Sequence, residues 1–110
     1  MRKTIYLLLL IIVVAGTITI KEIKQIGCTN GNCSNGQGSY TSMNGIYIGE
    51  WKNDLMNGVG TYYYFYSEDK YVGHWKNGKK HGGGTYYYSS GKVDKGTWVN
   101  DVFYKIGYEE

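Results

Sequence analysis

The sequence predicts an all-β fold: consecutive β-hairpins forming one elongated antiparallel sheet, preceded by an N-terminal hydrophobic helix. Three observations lead there. YIGEWKNDLMNGVGTYYY from Tyr47 and YVGHWKNGKKHGGGTYYY from Tyr71 share Tyr, Gly, Trp, Lys, Asn, two later Gly, Thr and three Tyr at an offset of 24 residues. A fixed period of that length is the mark of stacked supersecondary units. Within each copy the pattern alternates with period two, so Tyr71, Gly73 and Trp75 share one face of a strand and Val72, His74 and Lys76 the other. Finally, 17 Gly and 13 Tyr stand among 110 residues with no Pro, which points to a core of amphipathic rings instead of the usual Leu, Ile and Val.

Residues 1–24 read as a signal or membrane-anchor segment. Arg2 and Lys3 precede the apolar run IYLLLLIIVVAGTITI, Ile5 to Ile20, and Lys21, Glu22 and Lys24 close it. As a helix this run reaches about 25 Å, slightly short of a hydrocarbon core of roughly 30 Å. Three fates stay open: a retained anchor through residues 5–20, a cleaved signal, and a lipid on Cys28 at the end of QIGC. In each the basic N-terminus stays cytoplasmic and the rest is exported, to a periplasmic or extracellular location. Beyond residue 24 eight basic and eight acidic residues remain, so the exported part is formally neutral and a nucleic-acid partner loses its electrostatic argument.

Residues 25–110 read as the hairpin domain, with rungs at about 25–46, 47–70, 71–93 and 94–110. In the first, Gly27, Gly36, Gly38 and Tyr40 stand 22 residues before Gly49, Gly58, Gly60 and Tyr62, while Thr29 replaces Trp51. The second carries Tyr47, Gly49, Trp51, Gly58, Gly60 and Tyr62. The third carries Tyr71, Gly73, Trp75, Gly82, Gly84 and Tyr86. The fourth keeps Gly96, Trp98 and Gly107. KNDLMN and KNGKKH read as the loops inside the two full rungs, and MNG, SED and SSG as the turns between rungs. Glycine normally weakens a strand by roughly 0.5–1 kcal/mol. Here the glycines read as sockets, where a Tyr or Trp ring from a neighbouring strand lies over bare backbone.

YVGHWKNGKKHGGGTY resembles the MORN repeat, which runs Tyr, any, Gly, any, Trp or Phe, then a loop ending His-Gly, then Gly-any-Gly-any-Tyr. The third rung matches it at Tyr71, Gly73, Trp75, Gly78, His81, Gly82, Gly84 and Tyr86. The second differs at Asp54 and Asn57; the fourth has Asp94 for Tyr and Lys105 where Gly82 sits. The resemblance implies a twisted antiparallel sheet with a shallow groove, in modules that mediate protein contacts, dimerise or associate with membranes.

The sequence offers no catalytic residues. His74 and His81 are the only histidines, with no ligand spacing for a metal, no nucleophile elbow and no phosphate loop, and no cofactor is implied. Cys28 and Cys33 lack CxxC spacing; a disulfide between them and free thiols are both open, and a lipid on Cys28 would exclude the bond. Alternation sends Tyr62, Tyr64 and Tyr66 to one face and Tyr63 and Phe65 to the other. A single-layer sheet leaves Tyr63, Phe65 and Tyr87 partly exposed, as candidate binding residues. Lys76, Lys79 and Lys80, with His81, read as the one basic cluster, suited to an acidic partner or lipid head groups. The expectation is a non-catalytic protein-interaction or scaffolding module on the exported side of the cell membrane, in the cell envelope. Its partner would be another protein or a second copy, docking on the aromatic face or an open edge. Membrane-surface lipid or cell-envelope glycan binding by that face is the alternative.

Overall fold

A computed structural model describes residues 6–14 and 17–105. Its strands follow one another across a single antiparallel sheet in chain order, as short turns between alternating segments require. They are β1 (Tyr6–Val14), β2 (Thr17–Gly31), β3 (Gly36–Thr41), β4 (Gly45–Lys52), β5 (Leu55–Tyr64), β6 (Lys70–Lys76), β7 (Lys79–Tyr87), β8 (Val93–Val99) and β9 (Val102–Tyr104). The eight from β2 to β9 form the ladder. Its smallest extent, 16 Å, is that of one layer with side chains on both sides.

At the N-terminus the structure departs from expectation. Instead of a helix, Tyr6–Val14 and Thr17–Gly31 are paired strands, in a register running from Tyr6↔Ile26 to Val14↔Thr17. The run holds Ile11, Ile12, Val13, Thr17, Ile18, Thr19 and Ile20, β-branched residues that lose χ1 freedom in a helix and fit a pleated surface. Residues 1–5, 15–16 and 106–110 lie outside the described part, and with them Gly107. No helix among the described residues is long and apolar enough to cross a membrane.

Register turns the repeat into rows. Gly38, Gly49, Gly60, Gly73, Gly84 and Gly96 pair in succession across β3 to β8. Beside them Tyr40, Tyr47, Tyr62, Tyr71 and Tyr86 form a second row across β3 to β7. The socket reading holds at Gly60 and Gly84: a Cβ there would land on the hydroxyl and ring of Tyr47 or Tyr71, each reaching diagonally from the neighbouring strand. Each Trp indole then crosses to the preceding hairpin and donates to a carbonyl in the glycine row. Trp51 Nε1 is 3.0 Å from Gly38 O, Trp75 Nε1 3.1 Å from Gly60 O, and Trp98 Nε1 3.2 Å from Gly84 O.

Gly58 and Gly82 do something else. The pairing of β4 with β5 and of β6 with β7 jumps after Gly49 and Gly73, and these glycines take φ of 100° and 102° inside the irregularity, a conformation that penalises any Cβ. The jump leaves carbonyls out of the ladder, and the buried tyrosines satisfy two of them: Tyr47 donates to Glu50 O at 3.0 Å and Tyr71 to His74 O at 3.1 Å.

The turns inside the hairpins are shorter than expected. Asn53-Asp54, Asn77-Gly78 and Asn100-Asp101 each have φ between 48° and 80° at both positions, the geometry of two-residue type I′ turns. Strand therefore resumes at Leu55 and Lys79, so most of KNDLMN and KNGKKH is β-structure. Each turn also ties back to the preceding hairpin. Asp54 N donates to Ser34 O at 3.0 Å, Gly78 N to Met56 O at 2.9 Å and Asp101 N to Lys80 O at 3.0 Å. At the opposite end β5 stops at Tyr64 and Tyr66 leaves the alternation, 82% exposed in a turn.

The core is one-sided and aromatic. Among the described residues Tyr47, Tyr71, Trp75 and Trp98 are the buried hydrophobic side chains, and no polar or charged side chain is buried with them. Trp51, Tyr47, Trp75, Tyr71 and Trp98 form a chain of edge-to-face contacts with centroids 5.1–5.4 Å apart, the arrangement that ring quadrupoles favour. Burial raises the Tyr47 and Tyr64 hydroxyl pKa values well above the usual range. It also pushes Tyr71 up from 10.0 to about 12, with the Asp101 charge adding to the effect. A raised folded-state pKa gives stability that is complete below the unfolded value of about 10 and is lost as pH climbs through the folded one. Unfolding by alkali should therefore begin above about pH 10, with part of the tyrosinate absorbance rising in the same step as the loss of sheet. Complete tyrosine ionisation with the sheet intact would contradict this burial.

Candidate functional site

The two faces of the ladder offer different surfaces. On the ring face, the strand following each type I′ turn points its second residue at the aromatic row, since Trp51 pairs with Met56 and Trp75 with Lys80. Lys80 therefore does not join a solvated basic cluster. Its side chain is 13% exposed, and Nζ lies 5.3 Å from the Trp98 centroid, 5.6 Å from Tyr86, 5.8 Å from Tyr71 and 6.0 Å from Tyr64. Asp101 Oδ1 is 3.7 Å away. Ring faces and a carboxylate together hold the ammonium. Lys76 and Lys79 pair on the other face and are exposed. The expected cluster is thus divided by the register, because residues 79 and 80 of a strand point to opposite sides.

The ring face is not equally filled along its length. Tyr64 packs on Tyr62 and Tyr86 at 4.5 and 5.7 Å, and Tyr88 packs on Tyr86 at 4.6 Å. The corresponding residue of the first hairpin is Ser42, whose hydroxyl meets Tyr62 Oη at 3.1 Å. Around this smaller residue lies a groove of about 580 Å³, with Tyr40, Trp51, Met56, Leu55 and Asp54 among its walls. That volume falls within the range of small-molecule and side-chain sites.

A disulfide closes the groove's outer end. Cys28 and Cys33 are bonded, with Cα atoms 5.9 Å apart, so the lipid alternative at Cys28 and this bond are mutually exclusive. A Cβ on Gly38 would touch Cys33 Sγ at 2.9 Å. The bridge therefore seats over Gly38 as Tyr47 does over Gly60, supplying bulk that the first hairpin lacks in rings.

On the opposite face Tyr63 and Tyr87 are exposed by 44% and 40%; Phe65, expected beside Tyr63, instead lies in the turn after β5, 43% exposed. Tyr63 pairs with Lys70, Lys70 with Tyr87 and Tyr87 with Val93. Lys70 Nζ sits 4.8 Å from the Tyr87 centroid. Ile48 and Val72, in the neighbouring row, are also exposed. Lys70 was not a sequence candidate, although period-two counting from Val72 would have placed it on this face.

The remaining polar side chains mainly serve the fold. His81 Nδ1 lies 3.4 Å from Asn100 N, and His74 Nδ1 3.0 Å from Gly83 O. Glu50 accepts from Val59 N beside the bulge. Asp69 joins two turns, accepting from Tyr86 Oη at 2.7 Å and Ser89 N at 2.8 Å. The Tyr86 hydroxyl, then the Ser89 amide, hold its carboxyl below the usual range. Among the described residues no group of His, Cys, Asp and Glu is arranged for a metal.

Two stretches of the chain, residues 47–65 and 71–93, match the family model of the MORN repeat. No curated protein matches the chain.

Proposed function

Starting from a chain whose residues 47–65 and 71–93 match the MORN repeat, we propose that it is a non-catalytic interaction module that docks a protein partner on the face carrying Tyr63 and Tyr87. MORN repeats generally mediate protein or membrane interactions, and the protein choice rests on one observation. Ile48, Tyr63, Val72, Tyr87 and Val93 form an exposed apolar surface across β4 to β8, and among the described residues no second layer lies over it. Adjacent strands lie about 4.8 Å apart, so Tyr63 and Tyr87, two strands apart, present rings roughly 10 Å from each other. Rings with one wet end suit protein interfaces. Lys70, Lys76, Lys79 and Lys95 of this face are spread over β6, β7 and β8 around the apolar residues instead of forming one basic patch, which favours a protein over a lipid surface.

The proposal includes the leader. Residues 1–24 act as the signal or membrane attachment and residues 25–110 as the exported ladder in the cell envelope, with a second copy as one candidate partner. In hydrocarbon every backbone N–H and C=O must be paired, which a lone hairpin cannot achieve. Insertion of residues 5–20 therefore requires them to leave the β1–β2 pairing. The intact mass of the protein from membranes distinguishes a retained leader, a cleaved one and a lipid on Cys28.

The docking surface is tested by a photo-crosslinking amino acid placed at Tyr63 in the full chain, with a control at Asn100, exposed in the turn between β8 and β9. Discrete protein adducts from Tyr63 and none from Asn100 are expected. Adducts only to lipid or glycan, or equal labelling from both positions, would reject the protein-docking reading.

A further inference from the structure

The ladder repeats one seat three times and fills it differently each time. The turn-to-strand hydrogen bonds define the equivalence, because Asp54, Gly78 and Asp101 donate to Ser34, Met56 and Lys80 respectively. In the last seat, Lys80 lies beside Trp98 and Tyr86 and pairs with Asp101. In the middle seat an apolar Met56 faces a turn residue, Gly78, that carries no charge. In the first seat the carboxylate returns at Asp54, and the rings return as Trp51 and Tyr40, which pack at 5.8 Å. The residue in the lysine's place, however, is Ser34.

Ser34 is too short to reach the rings. The space it leaves is the groove of about 580 Å³, which Ser34, Tyr40, Trp51 and Asp54 all line. Among the described residues Asp54 has no ion-pair partner, whereas Asp101 has Lys80. We propose that this groove is a binding site for an alkylammonium group, specifically a lysine side chain supplied by another chain. Its aliphatic stem lies along Leu55, Met56 and the disulfide, and its ammonium sits between the Trp51 ring and the Asp54 carboxylate, as Lys80 sits between Trp98 and Asp101. Cation–π attraction and charge pairing act on the same group, and the apolar walls accept the methylenes. The site is on the ring face, so its test is independent of the docking face that carries Tyr63.

The experiment is an NMR titration of the isotope-labelled full chain with N-acetyl-lysine N-methylamide. N-acetyl-norleucine N-methylamide, of similar length but uncharged, is the comparison probe. The chain has three Trp, so the indole N–H of Trp51 can be followed against those of Trp75 and Trp98. The lysine probe should shift Trp51 saturably and leave Trp98 in place, with norleucine binding roughly three- to tenfold more weakly. Asp54→Asn should weaken the lysine probe by a similar factor. Ser34→Lys, which transplants the last seat into the first, should shift Trp51 without any probe and abolish saturable binding. Equal binding of norleucine would reduce the groove to an apolar slot and overturn the proposal. So would an unchanged affinity in Asp54→Asn, or full probe binding by Ser34→Lys.

Discussion

Gly84→Ala is expected to destabilise the protein by about 3 kcal/mol or more, at the upper end of the cost of overpacking, while the adjacent Gly83→Ala should be neutral or stabilising by roughly 0.5 kcal/mol. The added Cβ at position 84 would land on the Tyr71 hydroxyl and ring. Tyr71 cannot swing aside. It is fully buried, donates to His74 O at 3.1 Å, and stands edge-on between Trp75 and Trp98. At Gly83 a Cβ would meet nothing nearer than His74 Nδ1 at 4.0 Å, and the backbone needs no left-handed conformation. Ala there restricts the unfolded chain at no steric cost. Urea midpoints of the two variants decide the matter: if they lie together, the rings are not seated on bare backbone.

Trp75→Ala should cost about 4 kcal/mol, in the range for deleting a buried aromatic. Trp51→Ala should cost clearly less. Trp75 stands between Tyr47 and Tyr71 in the edge-to-face chain, packs on Tyr62, and donates to Gly60 O at 3.1 Å. Trp51 ends that chain and borders the open groove. Its removal forfeits fewer contacts, and the space it leaves joins one already open to water. Equal losses in denaturant unfolding would mean that the aromatic chain is uniform and that the groove does not relieve its end.

Much of the ladder is legible in the sequence because period-two alternation and a fixed repeat are local signals. The Tyr, Gly and Trp of each copy can be assigned to one face by counting, and so can the exposure of Tyr63 and Tyr87. What counting misses depends on backbone geometry. KNGKKH looks like a polar loop, yet Asn and Gly at positive φ close the hairpin in two residues. The turn's shortness carries Lys80 under the rings and separates it from Lys79. The two roles of glycine are equally hidden, since Gly82 and Gly84 lie two apart in the same strand but one sits in a bulge and the other under a ring. For the leader, an apolar run rich in β-branched residues carries no periodicity to tell a helix from a strand. The groove escapes notice because it arises from what Ser34 and Ser42 omit relative to Lys80, Tyr64 and Tyr88. Aligning the turns would have brought Asp54 onto Asp101.

The ties from each turn back to the strand before it give the molecule a polarity. The hairpins β4–β5, β6–β7 and β8–β9 each lean on the one before, and β9, three residues long, is in the last of these. Where neighbours interact only with neighbours, opening costs accumulate along the array instead of being shared. Backbone amides should therefore exchange with solvent in a gradient, earliest at β8 and β9 and latest at β5 and β6, and a pull on the C-terminal end should unzip the protein one hairpin at a time.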